Sequence, residues 1–300
     1  MKLKKRRGAF AAIVIMVLAV ALAVGATLAL GSSGLASPTA LASPGASKAP
    51  EQTKTQAVPA DPFRSVATGG PGTVLAAVYD VASGKEWNLG TGRPQAEASI
   101  VKLDILQTLL SRYHTTLPAA DLPVAQLMME DSDNDAATSL WYASGGPEGI
   151  GTYNAAAGLR ETTLSQCVDC EGFSWPGWGL TTTTPDDQIT LLRQLISSRS
   201  QLSASQRKYV LGLMENVTSE QRWGVSGGVP AGVTVALKNG WLPLDSANDD
   251  WQINSIGWVN GDGRDYLIAV LSTGNPTEQA GIDLIDKLSS TVWQNMDNKQ

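Results

Sequence analysis

Strand-rich segments stand at both ends of the sequence, with helix-patterned segments between them. No other feature constrains the fold as much. Thr73 to Asp80, TVLAAVYD, reads as a buried strand, and the turn Ala82-Ser83-Gly84 leads into a second run, Lys85 to Leu89, to make a hairpin. The last third returns to strands at VTVALKN (233–239), WQINSIGWV (251–259) and DYLIAVLST (265–273), with turns expected at Asn260-Gly261 and Gly263. Apolar residues recur at helical spacing from about residue 99 to 215, in PVAQLMME, NDAATSLWYA and EGIGTYNAAAG among others. The long loop CVDCEGFSWPGWGLTTTT interrupts that pattern, and helix resumes at Thr184-Pro185. Asn275-Pro276 is expected to cap a final helix with Ile282, Ile285, Leu288 and Val292 on one side. The arrangement predicts an α/β (α+β) fold: one antiparallel sheet built from both chain ends, flanked by helices, plus an all-helical lobe. A site is expected in the cleft between the two lobes.

The N-terminal part is of another kind. Residues 1–7 carry Lys2, Lys4, Lys5, Arg6 and Arg7, a basic segment expected to stay cytoplasmic. The uncharged apolar run 8–30 has the length of a bilayer span and reads as an anchor, or as a signal segment if it is cleaved. With no cysteine near it, a lipoprotein is excluded. Residues 31–70 are rich in Ser, Pro, Ala and Gly and read as a disordered tether. Residues 71–300 are then a domain outside the cell membrane, or secreted after cleavage, and monomeric.

Beyond residue 30 lie all 28 Asp and Glu and only 17 of the 22 Lys and Arg, a net charge near −11. That balance argues against nucleic acid as partner and leaves membrane contact to the N-terminal segment alone. His114 is the single histidine and follows Tyr113 at a helix end, so a Ser-His-Asp triad or a histidine metal site is not expected. Cys167 and Cys170 lack the further ligands of a zinc site, and outside the cytoplasm they read as a local disulfide.

Ser99 and Lys102 open the apolar helical stretch SIVKLDILQTLLSRY. Three residues apart on a helix, they share one face. A lysine held close and partly desolvated can take the proton of a hydroxyl that attacks a carbonyl. Ser205 and Lys208 repeat the spacing without partners. Ser99-x-x-Lys102 is followed in order by Ser132-Asp133-Asn134 and Lys238-Asn239-Gly240, the last read as a strand end and turn.

With these three stretches the chain resembles the penicillin-recognising serine hydrolases, most closely the class A β-lactamases. The flanks AVYDVASGKEWNLGTGRPQAEASIVKLDIL, SDNDAATSL, Thr181–Pro185 and IAVLST agree, so the likeness covers about residues 70 to 298. It implies a β-lactamase/transpeptidase-like fold and acylation of Ser99 by a small β-lactam or a cell-wall peptide, with no metal and no cofactor. Lys102 would be the base, Ser132 a proton shuttle and Asn134 an orienting group. Lys238 would supply positive charge, and the Ser99 and Trp241 N–H groups, on either side of Gly240, the oxyanion hole. Two departures stand out. The loop glutamate that activates the deacylating water is absent, with Asp169 and Glu171 the nearest carboxylates. Asn239 replaces a hydroxyl residue that binds a substrate carboxylate, leaving Arg222 as a substitute ligand and Trp241 as a large ring that narrows the site or stacks on substrate. The alternatives are a D,D-peptidase-like enzyme or esterase acting on cell-wall substrates, or a retired cell-wall binding protein.

Overall fold

Period-two alternation in the terminal strands builds the sheet. The computed structural model describes residues 60–66, 72–171, 173–245 and 250–296. Its strands are β1 (Thr73–Asp80), β2 (Glu86–Leu89), β3 (Gln95–Ala96), β4 (Thr182–Thr183), β5 (Thr234–Asp245), β6 (Asp250–Gly261) and β7 (Arg264–Asn275). Five form one antiparallel sheet in the order β2-β1-β7-β6-β5, and β3 pairs with β4. β1 and β7 zip together from Thr73 opposite Thr273 to Asp80 opposite Tyr266, which joins the two ends of the chain as expected.

Successive β7 side chains face opposite ways. Leu267, Ala269 and Leu271 enter the core shared with the middle helices, while Ile268 and Val270 pack on the last helix. The helices are α1 (Val101–Ser111), α2 (Leu122–Glu130), α3 (Asn134–Ala143), α4 (Gly146–Ala157), α5 (Pro185–Ile196), α6 (Ala204–Glu215) and α7 (Glu278–Asn295). Every residue of α1 from Val101 to Leu110 is buried, the polar Lys102, Asp104, Gln107 and Thr108 included, so this helix runs through the centre of the helical core. α7 covers the opposite face of the sheet with Ile285, Leu288 and Val292.

Four local expectations are revised. β5 does not end at Asn239 but continues to Asp245, so Lys238-Asn239-Gly240 lies within the strand and not at a turn. The β6–β7 turn falls at Asp262-Gly263, both with positive φ as suits a two-residue hairpin, so Gly263 turns as expected while Asn260-Gly261 lies within β6. Thr277, not Asn275, caps α7, its hydroxyl accepting from the Ala280 N–H. Residues 60–66, assigned above to the tether, pack on the domain: Phe63 is buried with Trp293 and Met296, and Asn295 Nδ2 donates to the Pro62 and Arg64 carbonyls. Phe63, with the half-buried Val66, fastens this stretch to the core.

The basic segment 1–7, the apolar run 8–30 and the tether as far as residue 59 lie outside the described residues. Among the described residues no helix is long and apolar enough to cross a membrane.

Candidate active site

α1 begins with a 3₁₀ turn, Ala98–Ile100, that carries Ser99 at the mouth of a cavity. Ala98 holds φ +50, a backbone region that costs a residue with a Cβ and persists only where the surroundings impose it. They do so through the sheet. Asn254 Nδ2 on β6 donates to the carbonyls of Ala96 (2.8 Å) and Glu97 (2.9 Å), while the Glu97 N–H donates to the Thr181 carbonyl. Gln252 Nε2 bonds Gln95 Oε1 and Asn254 Oδ1, completing a polar latch beneath the turn. β5 lies so close that a Cβ on Gly240 would sit 2.7 Å from the Ser99 nitrogen and 2.8 Å from the Glu97 carbonyl oxygen. Only glycine lets the two backbones approach in this way.

Removing the latch gives a direct test. Asn254→Ala takes the side-chain donor from the Ala96 and Glu97 carbonyls, leaving Glu97 only the longer bond from the Ile100 N–H (3.3 Å), which costs about 1–3 kcal/mol. In a domain of this size each kcal/mol lowers the melting temperature by roughly 2–4 °C. Thermal unfolding should show that fall together with slower Ser99 labelling; an unchanged melting temperature and labelling rate would remove the latch from the account.

Lys102, one helical turn after Ser99, is fully buried. Its Nζ donates to the Ser132 carbonyl, to Ser132 Oγ (3.1 Å) and to Asn134 Oδ1 (2.8 Å). Lys238 reaches the same hydroxyl from β5: its Nζ donates to Ser132 Oγ and to the Asn239 carbonyl, both at 2.9 Å. Ser132 Oγ is thus held between two lysine amines. Ser132 itself has φ +59, and Asp133 caps α3 by accepting from the Ala136 N–H, so the loop presents Ser132 and Asn134 together. Burial first, then the Lys238 ammonium, drives the Lys102 pKa well below that of a free lysine, with Asp133 opposing. Burial lowers Lys238 to about 7. Burial thus weakens the hold of both amines on their protons.

Asn239 faces the other way. Its Nδ2 donates to the carbonyls of Gln221 (2.7 Å) and Trp223 (3.1 Å), and its Oδ1 accepts from Ser255 Oγ (2.6 Å). The amide is used up fastening the 219–225 segment to the sheet and has no hydrogen left for a substrate. Arg222 is exposed and donates to the Glu215 carbonyl, away from the Ser99 cavity. Asp169 and Glu171 are also exposed, and neither lines that cavity. Ser205 and Lys208 lie exposed on α6 and His114 just beyond α1. The structure therefore gathers Ser99, Lys102, Ser132, Asn134, Lys238, Gly240 and Trp241, and leaves out Arg222, Asp169, Glu171 and the Asn239 side chain.

Aromatic rings occupy the ground where a carboxylate was sought. Cys167 and Cys170 are disulfide-bonded, and Gly177 packs so tightly on them that a Cβ there would meet Cys170 Sγ at 2.5 Å. The segment they hold presents Phe173, Trp175 and Trp178. Trp178 is buried, its Nε1 donates to Thr138 Oγ1, and its ring centre lies 5.1 Å from Lys102 Nζ. The sequence assigns these tryptophans no role. Their density beside a disulfide was the signal.

A second group passed unnoticed in the sequence. Glu97, two residues before Ser99, is fully buried, with Gln188 Nε2 donating to it. Burial first, then Asp104 and Asp187, push its pKa well above the carboxylate range. Burial likewise raises Asp104 to about 7, although Asn154 and Thr108 hydrogen-bond to it. These carboxyls lie behind the turn, outside the cavity lining.

The profile of the Beta-lactamase enzyme family matches residues 105–296, a span that includes Ser132, Asn134 and Lys238 and begins just after Lys102. LppW of Mycobacterium tuberculosis and Mycobacterium bovis, named as a lipoprotein, is 27% identical over 232 residues, 74% of this chain and 70% of LppW. A class A beta-lactamase from Bacteroides cellulosilyticus has the same fold, with TM-score 0.67 and 17% identity over 79% of this chain and 98% of that one. PBP-A gives TM-score 0.63 and 21% identity over 78% of this chain and 93% of its own. A variant of PBP-A has been solved as an acyl-enzyme complex with penicillin G.

Proposed function

Because the chain belongs to the beta-lactamase enzyme family, we propose that it is a serine hydrolase acylated on Ser99 by β-lactams or related amides and esters. The observation that carries this reading is Ser132 Oγ held between the amines of Lys102 and Lys238, beside the helix start that bears Ser99. Neutral Lys102 would take the Ser99 hydroxyl proton as Oγ bonds to the substrate carbonyl carbon. Charge on the carbonyl oxygen would face the N–H groups of Ser99 and Trp241, brought near one another by Gly240. The proton would pass from Lys102 through Ser132 Oγ to the leaving nitrogen as its bond to carbon breaks, and Asn134 would keep Lys102 aimed.

We place the domain on the outer face of a cell membrane, tethered through residues 8–30. The likeness to LppW, a protein named as a lipoprotein, supports a membrane-associated setting. PBP-A, whose variant holds penicillin G as an acyl-enzyme, supports a second form of the reading: a cell-wall peptidase or esterase that β-lactams trap.

Intact-mass measurement of the full-length chain with benzylpenicillin tests the proposal. An adduct on Ser99, absent in Ser99→Ala, is expected; no adduct with benzylpenicillin or with a fluorophosphonate probe would overturn it. The pH dependence follows from the buried amines. A free lysine titrates near ~10.4, but burial and the Lys238 ammonium lower Lys102 well below that value, so acylation should reach its plateau at a pH well below the free-lysine range. A labelling rate still climbing at alkaline pH would show that Lys102 is not so perturbed.

A further inference from the structure

The cavity before Ser99 holds about 210 Å³. Trp175 stacks on Trp178 at 5.7 Å and 23°, and Phe173 meets Trp175 edge-on at 5.5 Å, forming one wall. Trp241 and Trp251, from β5 and β6, line it too. Ser99, Ser132 and Asn134 supply polar groups, and among the described lining residues there is no Lys, Arg or His. The groups expected to bind a carboxylate are spent elsewhere or lie outside the cavity lining. The Asn239 amide serves two carbonyls, Arg222 donates to Glu215, and the buried Lys238 amine serves Ser132 and the Asn239 carbonyl. A carboxylate entering here would lose much of its hydration and meet no cationic side chain among the described lining residues.

We infer that this site takes an uncharged ester or amide whose acyl group carries an aromatic ring, and that it does not select for a carboxylate beside the scissile bond. The inference rests on acylation of Ser99 and specifies the substrate class. The volume fits: an apolar cavity of about 150 Å³ accepts benzene, so the larger space here accommodates one ring with a short link to the carbonyl. The disulfide and Gly177 fix the aromatic wall in advance, so that little ordering is left for binding.

The test compares 4-nitrophenyl phenylacetate, 4-nitrophenyl acetate and mono-4-nitrophenyl succinate on the full-length chain, with Ser99→Ala as blank. Ser99 Oγ forms the new ester bond, nitrophenolate departs with the electrons of the broken one, and the hydroxyl proton goes to Lys102. After correction for spontaneous hydrolysis, the phenylacetyl ester should react about tenfold faster than the acetyl ester, an advantage within reach of one filled pocket. The succinyl ester should be the slowest. Trp175→Ala and Trp251→Ala should each narrow the phenylacetyl-to-acetyl ratio, which general damage to the fold would leave alone. Equal rates, or a succinyl ester that is fastest, would overturn the inference. Release with no dependence on Ser99 for any ester would instead sink the acylation reading. The cavity is then judged by phenylacetamide, which should quench tryptophan fluorescence and cease to do so in Trp175→Ala; no quenching would overturn it.

Discussion

Lys102→Met is expected to slow acylation of Ser99 by ~10²–10⁴-fold, the usual cost of removing a placed general base. The variant should still fold, because the side chains are similar in length and Lys102 is fully buried. Exchanging a desolvated amine for an apolar chain relieves a burial cost, while Asn134 Oδ1 and Ser132 lose a donor. The melting temperature should accordingly stay close to that of the parent. Lys238 is the competing candidate, since it too is buried with its pKa lowered to about 7. Geometry separates the two. Lys102 sits one turn after Ser99 on the same helix, whereas Lys238 is bonded to Ser132 and to its own neighbour's carbonyl. Lys238→Met should therefore cost less, by disturbing Ser132 rather than deleting the base. Stopped-flow release of nitrophenolate from the two variants decides the matter, and a Lys238→Met enzyme slower than Lys102→Met would exchange their roles.

The burial cost of Lys238 also gives stability a direction with pH. Its ordinary pKa is ~10.4 unfolded and about 7 folded, so between those values the unfolded chain binds more protons. Stability should then rise with pH across that window and fall as pH drops through 7. Denaturant titrations at both ends should show a smaller difference in Lys238→Met; an equal difference would mean that the amine is not desolvated as described.

Much of the architecture was legible because it follows from local patterns. The alternation in IAVLST and the all-apolar face of SIVKLDILQTLL leave few alternatives, and the strand-helix-strand order dictates where the ends meet. The group Ser99, Lys102, Ser132, Asn134 and Lys238 was legible only as three spaced motifs with matching flanks. What escaped depends on contacts distant in sequence. Asn239-Gly240 has the composition of a turn, yet it continues β5, because the glycine is needed where the strand crosses the Ser99 turn. Nothing local tells that the Asn239 amide is consumed by Gln221, Trp223 and Ser255. Asn254, 155 positions beyond Ser99, holds the nucleophile turn through backbone carbonyls that carry no sequence signature.

Once formed, the acyl-enzyme on Ser99 should persist, with deacylation at least ~10²-fold slower than in a relative that has a placed base for water. Among the described residues lining the cavity there is no carboxylate. Glu97 is close in sequence, but it is fully buried behind the turn and does not line the cavity, and burial and its acidic neighbours raise its pKa. That leaves Lys102, which must first give up the proton it took from Ser99 and then find a water molecule beside it. The Trp178 ring, centred 5.1 Å from its Nζ and tied to Thr138, occupies one approach. Asp169→Asn and Glu171→Gln should therefore leave the decay of the benzylpenicillin adduct unchanged, because both carboxylates point to solvent from the disulfide loop. Trp178→Phe, with a smaller ring and no indole N–H to hold Thr138, should admit water and speed that decay. Time-resolved intact mass reads all three variants. An adduct that vanishes rapidly in the parent and lingers in Glu171→Gln would show that the loop swings a carboxylate inward during turnover, and the persistence argued here would fall with it.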